Sequence, residues 1–215
     1  MLAGGADLIQ LRAKNHDLAT IRRVAEKILP LCRAAGVPFI LNDFPALAGE
    51  IGADGVHLGQ DDGSLESARS AYNRAMDRGI HSGLHSFIHP SPSSTLNPQP
   101  STLNSPPLLL GRSTHSLDQA RAALAEGFDY IGFGPIFPTP TKAGRPSIGL
   151  TDIATMERDV GSVIPAFCIG GIKRSNLLQV LAAGARRVVI VSDLLTAEDV
   201  RGATEEAVAA VCDRR

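Results

Sequence analysis

Hydrophobic and polar positions along the chain follow two alternating periods. Apolar runs of about four or five residues, bounded by glycine or polar residues, indicate buried strands, and apolar residues three and four apart indicate helices. Seven strands are predicted, at 7–14, 38–41, 55–59, 108–115, 130–134, 165–169 and 188–191. Helices are predicted after them, at 18–35, 46–51, 64–76, 117–126, 151–160, 175–183 and 198–211. This succession predicts a parallel sheet with right-handed crossovers.

The number of strand-helix units favours a closed TIM (β/α)₈ barrel, in which ligands bind at the carboxyl ends of the strands. An open doubly wound sheet is the alternative, but the chain has no G-x-G-x-x-G fingerprint for a dinucleotide. A barrel needs eight strands, and the first predicted strand follows Gly4-Gly5, where a preceding helix would end. We therefore expect a single α/β domain over residues 1–215 that lacks its first βα unit. The strands at 8–11 and 188–191 would then be unpaired edges.

One segment, from about 78 to 107, interrupts the pattern. It is rich in Ser, Pro, Asn and His, and the sequence Ser-Thr-Leu-Asn occurs in it twice, seven residues apart. A loop of this length inside a compact domain is expected to be a disordered, low-complexity insertion. His81, His85 and His89 could form a metal-binding face on a helix, but a glycine and a proline within the segment argue against that helix.

Composition and charge narrow the class of protein. The chain has 215 residues, 44% of them hydrophobic and 20% charged, which is ordinary for a soluble globular protein. A formal net charge of −1 argues against nucleic acid or an anionic membrane as the main partner. The three cysteines are predicted to be free thiols in a reducing compartment. We expect a cytoplasmic protein, or a plastid one if the source is eukaryotic. The sequence leaves open whether it forms a homo-oligomer.

Three long polar side chains alternate along the first predicted strand. Gln10, Arg12 and Lys14 share one face, which in a barrel points into the lumen near its mouth. Two buried cations need either an anionic ligand or carboxylate partners such as Asp43. We favour an anionic ligand, because arginine suits bidentate contact with phosphate and lysine supplies a point charge.

Acidic residues follow the next two strands. Asp43 comes after Asn42, and Asp62 comes two residues after Gln60. Carboxylates at neighbouring strand ends could share Mg²⁺, which binds one or two carboxylates together with substrate phosphates. The alternative for each aspartate is a helix N-cap, a function that Asp61 could perform and so leave Asp62 for the metal. Cations facing such a metal site indicate a diphosphate ligand.

A proline-stiffened loop follows the strand at 130–134. Its prolines restrict the backbone around two threonines and a lysine, in the segment Pro135–Lys142. Such a loop could hold hydroxyls and a cation against an anion at a low entropic cost, although a plain surface turn is equally compatible with it.

The last two strands end in small residues, Gly170-Gly171 and Val191-Ser192. Loops at these positions of a barrel often bind phosphate through backbone N–H groups, although tight turns alone would also explain the glycines. His57 is expected to be a packed, hydrogen-bonded residue, and Cys168 has no obvious activating base. With no nucleophile–base pair evident, the pattern favours departure of a leaving group assisted by metal and cations.

These motifs together resemble the thiamine phosphate synthase family. The matching stretches cover nearly the whole chain apart from the insertion: Gln10–Lys14, Asn42-Asp43, Gly52–Asp62, Gly111-x-Ser113-x-His115, Gly132–Lys142, Ile169–Ile172 and Val191-Ser192. The resemblance implies a TIM-barrel transferase of thiamine biosynthesis. It would join 4-amino-5-hydroxymethyl-2-methylpyrimidine diphosphate to a thiazole phosphate, giving thiamine phosphate and pyrophosphate by a dissociative, Mg²⁺-assisted substitution.

The resemblance also implies individual residue roles. The pyrimidine diphosphate would contact Gln10, Leu11, Arg12, Ala13, Lys14, Asn42, Ser113 and Lys142. The thiazole phosphate would contact Thr139, Pro140, Thr141, Gly171, Val191 and Ser192. Asp43 and Asp62 would hold Mg²⁺, and Lys142, Ser113 and Arg12 would be catalytic. The alternatives are a thiazole tautomerase-like enzyme, which has no diphosphate to bind, and an inactive phosphate-binding relative.

Overall fold

Seven parallel strands form one sheet in chain order. The structure is a computed structural model that describes residues 1–81, 107–139 and 146–213, with residues 79–81 described by their backbone only. The strands are β1 (Ile9–Leu11), β2 (Phe39–Asn42), β3 (Gly55–Leu58), β4 (Leu109–Thr114), β5 (Tyr130–Phe133), β6 (Ala166–Ile169) and β7 (Val188–Val189). Each strand pairs in parallel with the next, so all the carboxyl ends lie at one rim.

Helices connect the strands. They are α1 (Leu18–Ala35), α2 (Pro45–Ile51), α3 (Leu65–His81), α4 (Leu117–Glu126), α5 (Ile153–Met156), α6 (Arg174–Ala182), α7 (Ser192–Leu195) and α8 (Val200–Cys212). The chain opens with a 3₁₀ turn, Leu2–Gly4, in which Gly4 packs so closely on α8 that a Cβ atom there would overlap Thr204. This succession confirms the predicted barrel-type α/β fold, with seven strands among the described residues.

Local differences from the predicted elements have identifiable causes. The backbone of α3 continues to His81, five residues beyond the predicted end, while residues 82–106 of the insertion lie outside the described residues. The helix predicted at 151–160 is a short α5 followed by a π-helical turn, Glu157–Gly161. Strand β7 ends at Val189, because Val191 already precedes the short helix α7.

A single apolar cluster lies between the strands and the helices. Phe39, Leu41, Ile131 and Phe133 are fully buried in it. Aspartates hold the amino-terminal ends of two strands, as in Asp129, whose Oδ2 accepts a hydrogen bond of 2.8 Å from the backbone N–H of Leu110. These anchors fix strand register at the rim opposite the polar strand ends.

The sheet is open between its first and last strands. Among the described strands, β1 pairs only with β2 and β7 only with β6. An apolar cleft of about 410 Å³ lies on this side, lined by Met1, Leu2, Ile9, Ile28, Leu195 and Val200. The edges predicted to be unpaired are therefore present, with apolar surface beside them.

The cysteines are present as free thiols, and the described helices include no segment suited to span a membrane. The three cysteines are free, as predicted, and burial raises the pKa of the Cys168 thiol to about 12, so that the thiol is unreactive at neutral pH. Within the described residues, no helix has both the length and the apolarity needed to cross a bilayer.

Candidate functional site

Polar side chains from β1 and β2 meet at the carboxyl rim. Gln10 is in β1, and its side-chain amide donates a long hydrogen bond of 3.4 Å to Oδ1 of Asn42, the buried last residue of β2. Leu11 and Ala13 point the other way and pack against the apolar cluster. Their side chains therefore belong to the core, and only their backbone could contact a ligand at this rim.

An ammonium group joins the two aspartates predicted to hold a metal. Lys14 Nζ lies 2.9 Å from Oδ2 of Asp43 and 3.8 Å from Oδ2 of Asp62. Asp43 follows β2 and Asp62 follows β3, so three neighbouring strand ends contribute to one charged cluster. Part of the predicted alternative, an ion-pair network around Lys14, is thus present. Within the described part of the chain, Arg12 makes no ion pair, which leaves its charge available to an anion.

Asp43 has an unusual backbone conformation and a partly buried carboxyl group. Its φ of 70° lies in the left-handed region, where residues other than glycine are strained, and such strain is concentrated at functional sites. Burial raises the pKa of the Asp43 carboxyl, an effect that the neighbouring Asp62 increases and the hydrogen bond with Lys14 opposes. Its Oδ1 atom is buried and has no hydrogen-bond donor among the described residues.

Asp62 has the opposite tendency. Burial alone would raise its pKa, but contact with the Asp43 carboxyl, the backbone N–H of Gly59 and the Lys14 charge together lower it. The Gly59 N–H donates to Asp62 Oδ2 at 2.7 Å. The carboxylate approaches Gly59 so closely that a Cβ atom there would lie 2.6 Å from it. The pKa values of the two neighbouring carboxyl groups are thus shifted in opposite directions, upwards for Asp43 and downwards for Asp62.

The cluster fits a hard divalent cation. It offers two carboxylates from adjacent strand ends, and one buried carboxylate oxygen, Asp43 Oδ1, has no hydrogen-bond donor among the described residues.

The predicted helix-capping function of Asp61 is wrong. Ser64 caps α3 instead, because its Oγ accepts a hydrogen bond of 3.1 Å from the N–H of Ser67.

Ser113 is held at the rim from two sides. Its Oγ lies 2.9 Å from His57 Nε2, and its backbone carbonyl accepts a hydrogen bond from the side chain of Gln60. His57 is buried and also lies 3.1 Å from the hydroxyl of Tyr130, so the expectation of a packed, hydrogen-bonded histidine is confirmed. Tyr130 was not predicted as a site residue. Because it lies two positions before Gly132 on a strand, its side chain is on the same face of the sheet as Gly132, which could have indicated a polar group there.

The loop after β5 packs against the loop after β6. Phe137 N–H donates to the Gly170 carbonyl at 3.0 Å, and Asn176 donates to the Gly171 carbonyl at 3.0 Å. Thr139 lies at the end of the described part of this loop, whereas Pro140, Thr141 and Lys142 lie outside the described residues. The predicted phosphate-binding glycines, Gly170 and Gly171, are thus adjacent to the loop after β5.

An ion pair connects α6, whose first residue is Arg174, to α7, whose first residue is Ser192. Asp193 accepts hydrogen bonds from the backbone N–H of Arg174 at 3.1 Å and from its Nε at 3.0 Å, and these bonds lower the pKa of the carboxyl. Val191 and Ser192 are exposed at the start of α7. Arg174 and Asp193 therefore hold the last two strand ends together, a link that sequence spacing does not indicate.

Replacing Gly171 by alanine should weaken phosphate binding at this predicted anion site and destabilise the protein by about 2 kcal/mol. Gly171 has φ of +65°, and a Cβ atom there would lie 2.7 Å from Phe137 Cβ and 2.8 Å from the Pro138 carbonyl. The matched control is Gly36→Ala, because Gly36 has φ of +66° but no atom within 4 Å of its added Cβ. Thermal unfolding and phosphate titration of both variants measure the difference. Equal losses in the two would show that crowding at Gly171 is unimportant.

Several known proteins are similar to this chain in sequence and fold. A family model described as thiamine monophosphate synthase matches residues 1–80 and 98–194. The chain is 41% identical to a thiamine-phosphate synthase of Thermus thermophilus, over 92% of this chain and 79% of that protein. It is 37% identical to one of Thiobacillus denitrificans, over 95% of this chain and 82% of that protein. A solved structure of a thiamine phosphate pyrophosphorylase from Pyrococcus furiosus superposes with a TM-score of 0.75 at 30% identity, covering 99% of this chain and 86% of that one.

Proposed function

Because the chain belongs to the thiamine monophosphate synthase family, we propose that it is a transferase of thiamine biosynthesis that makes thiamine phosphate from a pyrimidine diphosphate and a thiazole phosphate. The observation that best supports this function is the cluster of Lys14, Asp43 and Asp62 at the carboxyl rim. It combines a cation with two carboxylates, which is the combination that binds a metal-complexed diphosphate.

We assign the diphosphate to the β1–β4 side of the rim. Arg12 and Lys14 would bind its oxygens, and Gln10 and Asn42, which already contact each other at 3.4 Å, would orient the pyrimidine. Lys142, which follows Thr139 in the sequence, would add a further cation to the leaving group. These groups stabilise the negative charge that develops as the bond to the diphosphate breaks.

Asp43 and Asp62 are the residues that would hold Mg²⁺. When bound there, the ion would neutralise charge on the diphosphate and so make it a better leaving group. The contact between Lys14 and both carboxylates places a second positive charge at the same point. Lys14 would contact the diphosphate oxygens.

The thiazole phosphate is assigned to the β5–β7 side. Thr139 ends the described part of the loop after β5, and Pro140 and Thr141 follow it in the sequence. The backbone groups of Gly171, Val191 and Ser192 follow β6 and β7. The thiazole nitrogen would then capture the pyrimidine methylene carbon after pyrophosphate has departed.

A steady-state assay with both substrates tests this function. We expect thiamine phosphate and pyrophosphate in equal amounts, formed only when Mg²⁺ and both substrates are present. A thiazole tautomerase would instead convert its thiazole substrate without pyrophosphate release. An inactive relative would bind thiazole phosphate and form no thiamine phosphate at saturating concentrations of both substrates, and either result would refute the proposal.

A further inference from the structure

Three side chains from β3, β4 and β5 form a hydrogen-bonded row on the inner face of the sheet. His57 on β3 is its middle member, with Nδ1 3.1 Å from the hydroxyl of Tyr130 on β5 and Nε2 2.9 Å from Oγ of Ser113 on β4. His57 is 8% exposed and Tyr130 is 7% exposed. The serine is thus the end of a buried hydrogen-bonded row, next to the rim where the diphosphate is assigned.

Glycines on neighbouring strands make room for this row. A Cβ atom at Gly111 would overlap the ring of Tyr130, and one at Gly132 would lie 3.4 Å from His57 Cε1. The Tyr130 ring also packs edge-on against Phe167, with ring centroids 5.8 Å apart. Both rings are therefore held in fixed positions by their surroundings, and their hydrogen bonds have little freedom to rearrange.

The direction of the hydrogen bonds follows from the tyrosine. Burial, reinforced by the charge of Asp129, raises the pKa of the Tyr130 hydroxyl, which therefore keeps its proton. Among the described residues, its hydrogen-bond partner is His57 Nδ1. A buried hydroxyl proton without an acceptor is costly, so Tyr130 donates to Nδ1. The proton of the neutral imidazole must then be on Nε2, which donates to Ser113 Oγ.

Ser113 is left with a proton to donate elsewhere. A hydroxyl that accepts from Nε2 still has its own hydrogen, and a diphosphate oxygen is a strong acceptor. With the other imidazole tautomer, the serine proton would instead point to Nε2, and Ser113 would turn a lone pair towards an anion. The tautomer of His57 thus decides whether Ser113 attracts or repels the diphosphate.

We propose that His57 and Tyr130 are positioning residues that fix the Ser113 hydroxyl as a hydrogen-bond donor to the substrate diphosphate. This inference rests on the proposed function for the identity of the anion. Neither residue needs to touch the reacting atoms, because each acts through the orientation of Ser113.

Nitrogen NMR of the full chain labelled with ¹⁵N-histidine tests the tautomer directly. At pH 8, above the ordinary pKa of imidazole, His57 should have its proton on Nε2 in the wild type. Tyr130→Phe retains the ring but removes the donor, so the spectrum of this variant should show a larger fraction protonated at Nδ1. A wild-type spectrum with the proton on Nδ1 would overturn the proposal without any reference to catalysis.

A double-mutant cycle tests the consequence for binding, with inorganic pyrophosphate and Mg²⁺ as the probe. Tyr130→Phe should weaken pyrophosphate binding by about three- to tenfold in the wild type, the value of one hydrogen bond, and by less than about twofold in Ser113→Ala. Equal losses in the two backgrounds, or no pyrophosphate binding by the wild type, would contradict the inference.

Substitutions at His57 separate positioning from packing. Glutamine can place a donor near the position of Nε2, whereas leucine cannot donate. We expect His57→Gln to retain more of the pyrophosphate affinity than His57→Leu, at comparable unfolding temperatures. Equal affinities of the two variants would show that His57 acts only through packing. If the wild type binds pyrophosphate as expected but forms no thiamine phosphate, the proposed function fails while this inference stands.

Discussion

Asp43→Asn should lower Mg²⁺-dependent formation of thiamine phosphate at least about a hundredfold, without lowering the unfolding temperature of the metal-free protein. The loss of activity follows from the removal of one of the two carboxylates at the rim, which leaves Asp62 as the remaining carboxylate in the cluster around Lys14. Asparagine has nearly the same shape, and it tolerates the left-handed backbone at φ of 70° better than most other residues. The backbone at this position should therefore be unchanged.

The expected stability follows from the pKa of Asp43. Burial raises this pKa in the folded protein, so the folded state favours the protonated carboxyl. The resulting stabilisation is present at pH values below the unfolded pKa, and it is lost as the pH rises through the folded pKa. At a pH above the folded pKa, the ionised Asp43 carboxyl therefore lowers the stability of the metal-free protein, and the neutral asparagine removes this unfavourable charge.

Measurements on a matched pair of variants check both parts of this prediction. The control, Asp61→Asn, removes the solvent-exposed carboxylate that precedes Asp62 in the sequence. This variant should retain wild-type activity and Mg²⁺ dependence. Thermal unfolding in the presence and absence of Mg²⁺ gives the stability, and the product assay gives the activity. A marked drop in the unfolding temperature of metal-free Asp43→Asn, or activity close to that of Asp61→Asn, would show that Asp43 is structural.

Supplying an eighth parallel strand and its helix ahead of Met1 should raise the unfolding temperature by about 10 °C. Such a unit of about 30 residues would pair with the open edges of β1 and β7 and cover the apolar cleft beside Ile9, Ile28 and Leu195. Burial of a few large apolar side chains and pairing of two strand edges should contribute roughly 3–4 kcal/mol, which corresponds to that shift in a chain of this size.

The control for this fusion is the same unit with a proline at the centre of its strand. Proline removes a backbone donor and is excluded from central strands, so the control should lose most of the gain. Differential scanning calorimetry of the three proteins measures the effect. Equal unfolding temperatures with and without the added unit would show that the open side of the sheet does not limit stability.

The order of strands and helices could be predicted from the sequence because apolar periodicity and polar strand ends are both local signals. Gln10 is one example, since it alternates with apolar residues along its strand. Asn42 and Asp43 are another, since they directly follow an apolar run. Element ends are less predictable. Helix α3 continues to His81, and β7 is shorter than its apolar run because Val191 already precedes α7.

The relations between side chains from different strands could not be predicted from spacing. Tyr130 contacts His57 across 73 positions of sequence, and Arg174 joins Asp193 across 19. The strained backbone of Asp43 is another case, because nothing in the sequence around Asn42 distinguishes it from an ordinary turn. Register and crossover geometry determine these contacts, and they become visible only when the sheet is assembled.

Anomalous X-ray diffraction from crystals of the full chain soaked with Mn²⁺ and pyrophosphate would locate the metal and the diphosphate, with Mn²⁺ as a scattering substitute for Mg²⁺. We predict one metal peak coordinated by Asp43 and Asp62, with the pyrophosphate bound between this metal and the side chains of Arg12 and Lys14. A peak at another place, or pyrophosphate bound away from these four residues, would contradict the assignment of this rim as the active site.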